Sequence, residues 1–239
     1  MFKTSNLKLG SISVQFIRRP VQHVHLSVYP PKGKVSLIAP FSTRTEVARA
    51  YAISKLSWIK KQRIKFEKQA RETPRKFING ESYYLWGKRY ILQIYYTNKK
   101  PYVQLCHKYI DLFIKKKSNK ITRMKIITKW QKLFMEKFIL SLIKKWEKKL
   151  RLKVNNFYIR KMKTKWGSCK HSLKNILLNI ELIRKPKDLV EYVLVHEMIH
   201  LIEPSHNNNF IALLDKHYPS WKEARSELNS LPLSYEIWR

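Results

Sequence analysis

Cysteine is scarce: Cys106 and Cys169 are the only two in 239 residues. Two thiols cannot build a disulfide framework, and the expected setting is a reducing cytoplasm. No apolar run approaches the ~20 residues needed to cross a bilayer. The opening stretch MFKTSNLKLGSISVQFIRR has no long apolar centre and no small-residue cleavage site, so it does not read as a signal peptide. Gly/Ser-rich linkers and internal repeats are also missing. Acidic residues are few, 16 against 50 Lys+Arg. What is present is apolar: 44% hydrophobic and 13% aromatic residues supply a core and exclude a disordered chain.

The net charge of +34 is unevenly spread. Residues 1–170 hold 42 of the 50 basic residues and 7 of the 16 acidic ones, so residues 171–239 are close to neutral. The densest basic stretch runs from Lys115 to Lys170. Such a field attracts polyanions, so nucleic acid and nucleotides stand as candidate partners. A solvated, lysine-rich surface is the plainer reading, because lysine outnumbers arginine 36 to 14 and arginine is the better bidentate phosphate ligand.

Residues 12–38 read as three short strands, with His23 and His25 alternating away from Val24, Leu26 and Val28. Thr43 to Glu46 has the form of a capping box and predicts a helix to about Gln69, with Val47, Ala50, Tyr51, Ser54 and Trp58 on its stripe. RYILQIYY and YIDLFIK read as strands of a small antiparallel sheet. Tyrosines within 83–109 read either as ordinary strand residues or as a stacking platform for bases. Ile127, Trp130, Phe134, Phe138, Leu142, Trp146 and Leu150 recur at helical spacing and predict a core-facing helix over 122–150. Alternation in ILLNIELI predicts a strand. A helix follows from about Leu189 to Ile202, capped by Asp188, and another spans about His206 to His217. The expected organisation is a basic mixed strand/helix domain at 1–121 and a catalytic domain at 122–239.

The chemistry concentrates in VLVHEMIHLIEPSH, Val193 to His206. His196 and His200 are four apart, so on a helix both imidazoles share one face and can reach a single Zn²⁺. Glu197 lies one position round the helix, where it faces a water beside the metal and can act as general base. His206, six residues on and past Pro204, is the expected third ligand, and Glu203 competes for that place. Three neutral ligands leave a position for water, the arrangement of a catalytic rather than a structural site. Zinc is the expected ion, and another divalent metal fits the same donors. The activated water attacks a peptide bond in the favoured reading and a phosphoanhydride in the alternative. In a second alternative, the protein is a basic nucleic-acid-binding protein with a structural metal.

KTKWGSC, NILLNIELI, YVLVHEMIHL, SHNNNF and YPSW, in that order, resemble the YgjP-like family of metal-dependent hydrolases, related to the zincin metallopeptidases. VSLIAPFSTRTEVARAYAISKLSWI and YYLWGKRYIL extend the resemblance over nearly the whole chain. It implies an α+β, zincin-like metallopeptidase domain with a small N-terminal mixed β/α domain. It also implies metal binding by His196, His200 and His206, and Glu197 as the catalytic acid/base. Trp166, Gly167, Ser168 and Cys169 are expected to form a turn packed near the site. Lys165 stands where the family usually has arginine and is a candidate substrate contact. Cys169 is a buried thiol or, alternatively, a fourth ligand. By analogy with zincins, Ile176 to Ile183 are expected to line the cleft and pair with a peptide, with Asn179 a candidate side-chain contact.

Overall fold

The structure, a computed structural model, describes residues 4–29, 33–68, 75–162 and 165–231. The chain divides into two compact units between Glu72 and Thr73. No helix among the described residues is long and apolar enough to cross a membrane.

The first unit is a four-stranded sheet with two helices. Its strands are β1 (Thr4–Leu9), β2 (Ile12–Arg18), β3 (His25–Tyr29) and β4 (Lys34–Ala39), in the order β1-β2-β4-β3. Alternation decides its inner face: Val14, Phe16, Val35 and Leu37 are buried, whereas His23 and His25 are exposed. The helix expected to run unbroken to Gln69 is two, α1 (Thr45–Ser54) and α2 (Leu56–Lys68), separated at Lys55. Ala48, Ala52 and Ile59 face the core, while Val47 and Trp58 are exposed. No capping box forms: the N-cap is Arg44 rather than Thr43, with no side-chain bond to the helix, and the Thr43 amide donates to the Pro40 carbonyl instead. Arg18 bonds the Thr43 carbonyl and the Thr45 hydroxyl at that turn.

The second unit holds two sheets and a helical layer. β5 (Ser82–Leu85), β6 (Lys88–Tyr96), β7 (Tyr102–Leu105) and β8 (Tyr109–Ile114) form a sheet in the order β5-β6-β8-β7, with β6 and β8 parallel. Leu92, Ile110, Leu112 and Ile114 on one face pack with Ile127 of α3 (Lys120–Leu150). Asn119 caps that helix by accepting from the Thr122 amide. Its buried stripe contains Met135, Ile139 and Ile143, whereas the aromatics Trp130, Phe134 and Phe138 lie at the margin, near Trp86. The domain boundary expected at 121/122 falls inside this unit, between two elements that share a core.

β9 (Asn156–Arg160), β10 (Gly167–Lys170) and β11 (Asn175–Asn179) form the second sheet, in the order β10-β11-β9. The turn after β5 docks on the segment that follows β11: the Trp86 and Gly87 amides donate to the Ile183 and Arg184 carbonyls. Gly87 sits at φ 76° with Pro186 against its α-carbon, so a side chain there would be strained and obstructed. α4 (Lys187–Ile199) follows, then α5 (Asn208–His217) and α6 (Trp221–Ser230). Nearly every residue of α4 from Leu189 to Ile199 is buried, so its titratable groups stand in a central helix.

Candidate metal centre

α4 ends at Ile199, and the Leu201, Ile202 and Glu203 amides return to Met198 and Ile199 carbonyls in tight turns. Pro204 turns the chain away. Asn207 then starts α5, its side chain accepting from the Phe210 amide at 3.0 Å. This cap brings His206 back over the face carrying His196 and His200. His206 Nε2 lies 3.1 Å from His196 Nε2 and 3.2 Å from His200 Nε2. Phe210, 1% exposed, is the floor of the cluster, with its ring centroid 5.0, 4.5 and 4.7 Å from His196, His200 and His206.

Two imidazole nitrogens on one tetrahedral ion at about 2.0–2.1 Å are separated by ~3.4 Å. The observed spacings are close to that, and the ligand atoms of all three residues lie within 4.8 Å of one another. Among the described residues, no other three such groups converge. Burial holds the His196 imidazolium far below its ordinary range, at about 3, helped by the neighbouring His200 and His206. Burial also lowers His200. Neutral rings with inward nitrogens are the donor state that a zinc-type ion needs, so the residues fit the group.

Glu203 is not among the three. Its carbonyl accepts from His200 Nδ1 at 3.1 Å, which leaves Nε2 free to face inward. Its carboxylate accepts from the Ser205 amide and closes the loop. Cys169 also lies outside the cluster. Burial, then the Glu197 charge, pushes its thiol up to about 11. In chelator-treated protein at pH 8, Cys169 is therefore expected to alkylate at least ~10-fold slower than free cysteine. Peptide mass spectrometry after iodoacetamide treatment reads this directly.

Glu197 is 7% exposed. Burial raises its carboxyl to about 7, partly opposed by Lys165. Its side chain lies against Gly167, where a β-carbon would meet Cγ and Oε1 at 2.7 Å. Gly167→Ala is accordingly expected to leave the metal content intact and to lower kcat/KM by about 10- to 100-fold through displacement of the carboxylate. Wild-type kinetics in a zinc-loaded alanine variant would refute that reading.

Trp166 to Cys169 are not a turn: Gly167–Lys170 is strand β10, with half-buried Trp166 just before it. Lys165, Gly167, Ser168, Cys169 and His171 line one side of a cavity of about 360 Å³, and His196, Glu197, His200, Pro204 and His206 line the other. His171 and Phe210 were missed from the sequence. His171 has no periodic neighbours; for Phe210 the available signal was the cap spacing from Asn207.

Three expectations need correction. Alternation in 176–183 does not make one strand: β11 stops at Asn179, and Ile180–Arg184 is a 3₁₀ turn. Nor can β11 offer an edge to a peptide, because it pairs with β10 on one side and β9 on the other. The outer strand on the cavity side is β10. Asn179 is 4% exposed. Its amide donates to the Met162 and Lys165 carbonyls and accepts from the Met162 and Glu181 amides. It ties the β9–β10 loop to the sheet and retains no group for a substrate.

A central helix with three converging imidazoles and a buried carboxylate beside a cavity is the arrangement of a metal-dependent hydrolase site. The metallopeptidase domain of the YgjP-like family matches residues 23–231, and the chain belongs to that family of metal-dependent peptidases. No curated relative matches. Similar solved structures include the metallopeptidase zymogen abylysin of Pyrococcus abyssi and the metallopeptidase zymogen jannalysin of Methanocaldococcus jannaschii. Abylysin has 20% identity and a TM-score of 0.36, over 38% of this chain and 90% of that one. Jannalysin has 22% identity and a TM-score of 0.30, over 41% and 92%.

Proposed function

We propose that His196, His200 and His206 hold a zinc ion and that Glu197 is the general base of a cytoplasmic peptidase. The observation that carries this reading is the approach of three ring nitrogens to 3.1–3.2 Å beside a buried carboxylate. The two free cysteines suit a reducing compartment. Bound there, zinc supplies a Lewis acid that makes water acidic near neutral pH and polarises a carbonyl.

The remaining work falls to the chain's own groups. Glu197 takes a proton from the attacking water at its carboxylate and returns one to the departing amine. Burial raises this carboxyl in the metal-free protein, and a neighbouring cation pulls it back toward the ionised form that a base needs. The edge of β10 extends a peptide by backbone hydrogen bonds and presents its carbonyl to the cavity. Lys165 and His171, at the two ends of β10, supply positive or hydrogen-donating groups to the substrate's flanking carbonyls. His200 is held by the Glu203 carbonyl, and Gly167 gives Glu197 its room.

The test is incubation of the zinc-loaded full chain with casein and, separately, with nucleoside triphosphates. Peptide cleavage that a chelator abolishes and zinc restores is the expected result. Release of pyrophosphate without peptide cleavage would assign the site to phosphoanhydrides instead.

A further inference from the structure

The face of the β5-β6-β8-β7 sheet opposite α3 carries a row of aromatic rings. Tyr95 of β6 pairs in register with Phe113 of β8, which pairs with Tyr102 of β7. The Tyr95 and Phe113 rings are 5.1 Å apart at 19°, and those of Phe113 and Tyr102 are 4.4 Å apart at 8°. Each strand's inner residues meet the core, so this row is the solvent side: Tyr95 is 43% exposed and Tyr102 45%. The stack has two open ends. β7 is the outer strand, and among the described residues no ring stacks on Tyr102 from beyond it. β5 pairs with β6 only as far as Ile91, so no strand continues the row past Tyr95. Behind the rings lies a polar row, Gln93, Asp111 and Gln104, in matching register.

The rim at this end of the sheet is basic. Lys99 and Lys100 lie between β6 and β7, and Lys115, Lys116 and Lys117 follow β8; all five are exposed. Among the described residues none of the five ammonium groups has an ion-pair partner. Across residues 82–120 there are nine Lys+Arg and one acidic residue, Asp111. Aromatic rings with free π-faces beside unpaired lysines suit a ligand that carries both flat rings and phosphates. A duplex has its bases already stacked on one another and cannot extend the row, whereas an unpaired strand can. Gln93 and Gln104 add amides of the kind that bond base edges.

We propose that this sheet face binds single-stranded nucleic acid, with bases continuing the Tyr95–Phe113–Tyr102 stack and Lys99, Lys100 and Lys115 to Lys117 holding the phosphates. The surface shares no residue with the metal centre, so its binding is independent of zinc. Cross-strand aromatic pairs also stabilise sheets, and a purely stabilising row would leave binding untouched when replaced.

Fluorescence anisotropy of the full chain with fluorescein-labelled dT and rU 12-mers, with and without chelator, tests this. Both strands are expected to bind, the DNA and RNA arms showing whether the 2′-hydroxyl matters. Tyr95→Leu and Tyr102→Leu keep apolar bulk and are each expected to weaken binding by roughly 5- to 100-fold. Lys99→Gln with Lys100→Gln, on an exposed loop that does not carry the fold, is expected to reduce the slope of log K against log salt by about 1.4. Leucine variants that melt like wild type and bind like it would overturn the proposal. So would equal affinity for a duplex 12-mer, an unchanged salt slope in the lysine variant, or a fluorescent polyglutamate whose binding shows the same dependence on Tyr102, which would mark an acidic-protein surface.

Discussion

Glu197→Gln is expected to cut kcat/KM on peptide substrates by about 10²- to 10⁴-fold while the protein still takes up one equivalent of zinc. Glutamine keeps the volume wedged against Gly167 but cannot accept a proton. Its effect is therefore chemical rather than steric, unlike that of Gly167→Ala. The pH profile adds a second readout. A general base must be ionised, so activity rises with pH through the carboxyl's pKa, about 7 in the metal-free protein. A bound cation lowers that value, so the acid limb is expected at or below pH 7 in wild type and absent in the glutamine variant.

Linkage gives the same residue a stability signature. The folded pKa is raised above the unfolded value, so between about 4.5 and 7 the folded state holds the extra proton. Stability of the metal-free protein therefore falls as pH rises through this window, by up to about 3 kcal/mol from this group. Glu197→Gln removes that loss. Thermal melts in chelator at pH 8 should find the variant more stable than wild type, and a less stable variant would contradict the burial argument.

His200→Ala is expected to lose stoichiometric zinc and to fall to background activity, with metal affinity lowered at least ~100-fold. Two histidines remain, and neither Glu203 nor Cys169 stands where it could replace the third. Glu203→Gln is the matched control: the carbonyl that orients His200 is unchanged, so zinc should be retained. Elemental analysis of the three proteins decides the matter. Stoichiometric zinc in His200→Ala would remove the proposed centre, and loss of zinc in Glu203→Gln would make the carboxylate a ligand.

The histidine pair was legible because helical spacing is local: residues four apart share a face whatever else the chain does. The return of His206 was legible through Pro204, while the cap at Asn207 that sets the start of α5 came only with the structure. The cavity's opposite wall was not. Whether a strand has a free edge depends on its neighbours, and β11 is covered by β9, which joins it in parallel from about twenty residues upstream. Alternation identifies faces, not edges. Asn179 misled for the same reason, since three of its four hydrogen bonds go to Met162 and Lys165, on a loop that only folding brings to it. In α3 helical spacing put Phe134 and Phe138 on the core stripe, yet the deepest positions there belong to Met135 and Ile139. In the first unit, the break at Lys55 carries neither proline nor glycine to announce it.

Between the α-carbon of Gly167 and the Glu197 side chain there is space for hydrogen and little more. The rail on which a peptide would lie and the group that would deprotonate its attacker are thus one mechanical piece. A guest that bends the rail drags the base with it. Discrimination among peptides should therefore emerge as differences in turnover, with poorly seated sequences held but cut slowly.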